Sequence, residues 1–172
     1  MFVLGVDPGL SRCGYGVVQR VGGGRSGLRA LAAGVITTPV DEDVPRRLAA
    51  LSAELRALLA EYAPAVVVVE RVLFQANART AMAVGQASGM ALAAAAEAGA
   101  EVVQYSPNEV KMAVTGYGAA TKAQVQTMVQ KVLDLEAVPR PADVADALAL
   151  AICHLGRVGL VRAAAVAERG LL

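Results

Sequence analysis

Four consecutive valines, Val66 to Val69, lead directly into an acid, Glu70. A run that is β-branched throughout has no polar face to offer water, so it reads as a strand covered on both sides of a sheet, with Glu70 at its carboxyl end. A second apolar run, Phe2 to Val6, ends in the same way. Asp7 closes it and Pro8-Gly9 follows at once, which places Asp7 at a strand exit rather than on a solvated face. Two further acids, Asp143 and Asp146, lie three apart behind Pro141 in an apolar segment that reads as the start of a helix, so they share one helical face.

Taken singly, some of these acids have ordinary explanations. Asp143 near a helix amino end favours the helix dipole, and Asp7 before Pro-Gly suits a turn. Asp146 resists one, because residues 144 to 153 are otherwise entirely apolar and an unpaired buried carboxylate is costly. No Lys or Arg lies between Arg140 and Arg157, so its partner comes from elsewhere in the fold or is a bound cation. Two like charges about 4 Å apart repel by roughly 4 kcal/mol at an effective dielectric near 20, so converging carboxylates demand cations. Oxygen ligands without a His or Cys cluster indicate Mg2+ or Mn2+ and exclude a zinc-type site.

At 172 residues, 56% hydrophobic and 18% charged, the chain reads as one soluble domain, 1–172, with a substantial core and no linker. The stretch from about 158 is left open between ordered and flexible. Cys13 and Cys153 are 140 positions apart, form no CxxC or disulfide framework, and read as buried small hydrophobes. With no signal peptide before Asp7, a reducing cytoplasm is expected. His154 reads as a helix-end residue. Net charge is only +1, but setting aside the four candidate ligands leaves 11 acids against 16 Lys plus Arg. Once cations neutralise the site, a phosphate backbone can approach.

Short strands, Phe2 to Val6, Cys13 to Gln19 and Leu28 to Thr37, with a turn at Gly22 to Gly24, suggest an antiparallel meander. Leu48, Leu51, Leu55, Leu58, Leu59 and Tyr62 then recur at helical spacing, with Arg46, Arg47, Glu54, Arg56 and Glu61 at intervening positions. After the valine strand come a helix from about Ala78 to Ala98, a strand from Glu101 to Tyr105, and helices from about Ser106 to Val114 and Lys122 to Leu133. The predicted whole is an α/β fold with a mixed five-stranded sheet flanked by helices on both faces. The Ala-rich helix near Ala78 does not read as a membrane span, since Gln86 and Ser88 sit at its middle. Gly85 and Gly89 give it a small-residue face suited either to packing on the sheet or to a subunit interface.

Four ordered blocks together resemble the RuvC family of Holliday-junction resolvases over nearly the full length. They are Gly5 to Gly16 (GVDPGLSRCGYG), Glu70 to Asn77 leading to Val84 to Gly89, Val110 to Gln126, and Ala142 to Ala149. The resemblance implies an RNase H-like fold in which Asp7, Glu70, Asp143 and Asp146 bind two Mg2+ ions, with Mn2+ able to substitute. Some family members carry His where Asp143 stands. It implies phosphate contacts from Lys111 and Lys122, and Lys122 opens a helix behind Thr121, a good cap at an anion-attracting end. Leu73 and Phe74 fall where the family places a hydrophobic wedge, with Leu73 at the commonly aromatic position; Arg71 and Arg79 flank them as DNA-backbone contacts. The resemblance also implies a homodimer resolving a four-way junction by paired symmetric nicks in recombination and repair, with RuvA and RuvB as partners.

Three other readings compete. An actin-like or sugar-kinase ATPase shares the Asp7-Pro-Gly-Leu-Ser pattern, but such enzymes enclose nucleotide between two comparable domains and this chain is short for that. A non-catalytic nucleic-acid binder would be indifferent to Mg2+. An RNase H-like nuclease acting on another branched DNA or on RNA keeps the same site, because fold alone does not fix substrate.

Overall fold

The structure, a computed structural model, describes residues 1–22, 26–71 and 78–169, with the side chains of 78–80 and 160–169 outside that description. Leu73 and Phe74 lie outside the described residues, as does part of the turn read at Gly22 to Gly24. Three opening strands, β1 (Phe2–Asp7), β2 (Arg12–Arg20) and β3 (Leu28–Thr37), pair antiparallel as the expected meander. The valine strand β4 (Val66–Glu70) then pairs parallel with β1, and β5 (Glu101–Tyr105) parallel with β4. One five-stranded mixed sheet results, in the order β3-β2-β1-β4-β5.

Helix α1 (Val44–Tyr62) leads into β4, and α2 (Ala78–Glu97) lies between β4 and β5. Then come α3 (Pro107–Thr115), α4 (Lys122–Val132) and α5 (Ala142–Arg169). The valine run divides between two cores. Val66 and Val68 pack with Val110, Val125 and Leu148 from α3, α4 and α5. Val67 and Val69 pack with Leu51 and Leu55 of α1 and Ala91 of α2. Each buried valine contributes on the order of 1.5–3 kcal/mol. With both faces covered, β4 is a fixed inner strand beside the central β1, and Glu70 is held at its rim.

Two side chains lie differently from their sequence reading. Arg47, taken as one of the polar positions of α1, is only 8% exposed. Its guanidinium donates to Thr38 Oγ1 at 3.0 Å and Ser11 Oγ at 2.6 Å, while the Thr38 hydroxyl donates to the Leu10 carbonyl at 2.6 Å. Those bonds tie down the turn that follows Asp7. His154, taken as a helix-end residue, lies well inside α5 because the helix continues to Arg169. It is buried with Nδ1 3.1 Å from the Tyr105 hydroxyl, and burial lowers its pKa. Cys13 and Cys153 are free and buried as expected, and burial pushes their thiols up to about 12 and about 11.

Candidate active site

Side chains alternate across a sheet, so Asp7 points to the same face as Val3 and Gly5, and Glu70 to the same face as Val66 and Val68. That is the face covered by α5. Glycines set how closely the helix approaches. A Cβ on Gly5 would collide with the Ala147 carbonyl oxygen, one on Gly14 with that of Asp143, and one on Gly16 would lie 2.8 Å from Leu148 Cδ2. Gly14 is the register partner of Asp7, and Gly16 that of Gly5. The first turns of α5 therefore rest directly on the strand pair that ends in Asp7, which brings Asp143 and Asp146 over the sheet's acidic rim.

Asp7, Glu70 and Asp146 line one cleft of about 300 Å3, together with Lys111, Lys122 and apolar walls from Val110, Val125 and Leu150. Burial is the chief force on Asp7, and repulsion from Glu70, Asp146 and Asp143 adds to it. Together they raise its pKa from 3.8 to about 7 against the opposing pull of Lys122. Burial, then Asp146, also raises Glu70. Lys122 is held charged above its ordinary range, chiefly by Asp146, whose carboxylate lies 3.3 Å from Nζ. Among the described residues, no three His, Cys, Asp or Glu side chains close on one point as a finished ion cage. Asp143 stands outside the cleft lining, its Oδ2 held by Arg12 at 2.7 Å from Nη2 and 3.2 Å from Nε. Arg12 escaped the sequence reading, although it lies inside the first matched block; its only signal was a cation five residues beyond Asp7.

The lysine positions follow from local chemistry. Thr121 caps α4 with a reciprocal pair: its hydroxyl accepts from Gln124 N, and Gln124 Oε1 accepts from Thr121 N at 2.8 Å. That geometry fixes Lys122 at the helix mouth. Ser106 and Glu109 cap α3 in the same manner, and Lys111 follows one turn later on the cleft wall. Arg71 is exposed just past Glu70, with Nη2 donating to the Gln104 carbonyl at 3.2 Å. Arg79 belongs to the first turn of α2, and its side chain lies outside the described residues.

The family model described as Crossover junction endodeoxyribonuclease RuvC matches residues 3–154. The chain belongs to the RuvC family. A RuvC crossover junction endodeoxyribonuclease from Salinispora arenicola is 54% identical over 170 residues, covering 98% of this chain and 96% of that relative. The solved structure of Thermus thermophilus RuvC superposes with a TM-score of 0.86 at 38% identity, over 93% of this chain and 96% of that one. The same Thermus protein solved in complex with Holliday junction substrate gives an equal TM-score of 0.86. The yeast mitochondrial Holliday junction resolvase Ydc2, at 18% identity and a TM-score of 0.65, shares the fold. The RNase H-like architecture and the crossover-junction endodeoxyribonuclease class, a hydrolase, thus stand as expected, and the kinase-like reading falls away.

Proposed function

We propose that the chain resolves four-way DNA junctions by metal-dependent hydrolysis, using Asp7, Glu70, Asp143 and Asp146 as ligands for two Mg2+ ions, with Mn2+ able to substitute. The observation that carries this is Asp7, a carboxylate whose pKa is raised to about 7 by burial first and by its neighbours Glu70, Asp146 and Asp143 second. A rim of hard oxygen donors that repel one another suits a divalent cation, and Asp7 stands at the centre of the repulsion. Ions held there supply a Lewis acid and a nucleophilic water at neutral pH. Glu70 and Asp146 would hold the ions beside Asp7, and Asp143 would join them on leaving Arg12. Lys122, held charged, then turns from Asp146 to a phosphate oxygen, and Lys111 positions the same strand from the opposite wall. Arg71, Leu73, Phe74 and Arg79 serve the junction beside Glu70, the first and last on its backbone and the middle pair at its open bases.

The enzyme acts on this reading as a single nuclease domain, 1–172, paired as a homodimer so that two cuts are placed symmetrically. RuvA and RuvB deliver the junction, and the work is done in the cytoplasm. Among the described residues no helix is long and apolar enough to cross a membrane. The test is a cleavage assay comparing a four-way junction, a linear duplex and an RNA–DNA hybrid, with and without Mg2+. Junction-selective, Mg2+-dependent nicking is expected, and Asp7→Asn, Glu70→Gln or Asp146→Asn should each slow it at least about 1000-fold while junction binding persists. Full cleavage by Asp146→Asn would sink the ligand assignment.

A further inference from the structure

Residues 110 to 133 contain Lys111, Lys122 and Lys131 and not one Asp or Glu, in a chain whose net charge is only +1. Between α3, the loop after it and α4 lies a groove of about 400 Å3, lined by Thr115, Tyr117, Ala120, Gln124, Thr127 and Met128 among others. The groove is separate from the carboxylate cleft, yet α4 walls both. Lys122 and Val125 face the cleft, while Gln124 and Thr127 face the groove. Lys131 follows Gln124 and Thr127 at seven and four residues, so it extends the same helical stripe.

At the groove's edge stands Tyr117, 61% exposed, an aromatic ring that no core has claimed. Its backbone is held in place. Gly116 adopts a φ of +75°, Tyr117 N donates to Thr115 Oγ1 at 3.1 Å, and Ala120 N donates to the Tyr117 carbonyl at 3.1 Å. Thr115 in turn donates to the Lys111 carbonyl at 2.8 Å, fastening the loop to α3. A ring presented from a fixed loop loses little conformational freedom when a partner stacks on it.

We propose that this groove receives an unpaired strand of the junction, with one base stacked on Tyr117 and an adjoining phosphate beside Lys131. With no acid between residues 110 and 133 to repel a phosphate, Lys131 supplies the attraction at the groove's end, and the aromatic ring supplies sequence-tolerant stacking. The proposal rests on the junction-resolving reading above.

The chain has no Trp and four Tyr, so the difference in intrinsic fluorescence between wild type and Tyr117→Phe isolates the groove's ring. Wild type, Tyr117→Phe, Tyr117→Ala and Lys131→Gln are titrated without divalent cations with a four-way junction and a linear duplex, following fluorescence and anisotropy. Junction binding should quench wild-type fluorescence, and Tyr117→Phe should bind within about 2-fold yet lose part of that quench. Tyr117→Ala should bind roughly 5- to 100-fold more weakly. Lys131→Gln should reduce the slope of log affinity against log salt by roughly 0.7–0.9. An unchanged quench in Tyr117→Phe, or wild-type affinity in Tyr117→Ala, overturns the groove while leaving the nuclease reading intact. Unchanged affinity with altered sedimentation in Tyr117→Ala would assign the groove to a protein chain and overturn it equally. A wild type that shows no preference for the junction over the duplex sinks the underlying reading itself.

Discussion

Asp7 carries the site's electrostatic strain, and that strain is measurable as stability. Its pKa stands near 7 in the folded chain against 3.8 for an ordinary Asp, so folding disfavours the charged form. A group raised in this way leaves the folded state undiminished below pH 3.8 and destabilises it progressively as pH rises through 7. At pH 8 the full penalty applies, at most about 4 kcal/mol for a shift of this size. Asp7→Asn should therefore melt several degrees higher than wild type at pH 8 without divalent cations, and the gap should close by pH 4. Mg2+ should raise the wild-type melting temperature and leave the variant nearly unmoved. Scanning fluorimetry across pH checks both, and a variant less stable than wild type at pH 8 would show that burial of Asp7 carries no such penalty.

Elements reach this arrangement because glycines let α5 lie on β1 and β2 with backbone touching backbone. Gly14→Ala sets a Cβ against the Asp143 carbonyl, an atom of helix backbone that cannot swing aside. Overpacking of this kind costs roughly 1–3 kcal/mol, or about 3–10 °C in a domain of this size. Cleavage should fall by far more than junction affinity, since Asp143 and Asp146 move while the lysines of α3 and α4 stay. A folded Gly14→Ala protein that cuts at the wild-type rate would show that the glycines do not seat the helix. The elements themselves were readable in one dimension: four valines specify a two-sided strand, and Thr121 before Lys122 marks a helix cap. The close approach was not, because Gly14 faces Asp7, and Gly16 faces Gly5, only once the β1–β2 register is known. Arg12 and Arg47 escaped for the same reason, their partners lying 131 and 36 residues away at Asp143 and Ser11. His154 lies inside the helix rather than at its end because α5 continues to Arg169, packed along the sheet.

At the scale of the whole molecule, α2 presents a face that nothing in the described chain covers. Gly85 and Gly89 are exposed, and a Cβ on either would meet open space, so the small-residue stripe does not serve packing on the sheet. That task falls to Ala87, Ala91, Ala94 and Ala95 on the opposite side of the helix. Each unpacked glycine costs the helix about 1 kcal/mol relative to Ala, a penalty that no contact among the described residues offsets. Beside them Met82 is 66% exposed. A second copy crossing at Gly85 and Gly89 would offset that cost through close backbone approach, and a two-fold pairing would present two clefts to the paired strands of one junction. Gly89→Leu fills the crossing point without touching either core. It should convert a dimer to monomer in light scattering at micromolar concentration, lower coordinated double nicking more than single nicking, and leave the melting temperature of the monomer equal or higher. A Gly89→Leu protein that remains dimeric would move the interface off this face, and with it the geometry that two coupled cuts require.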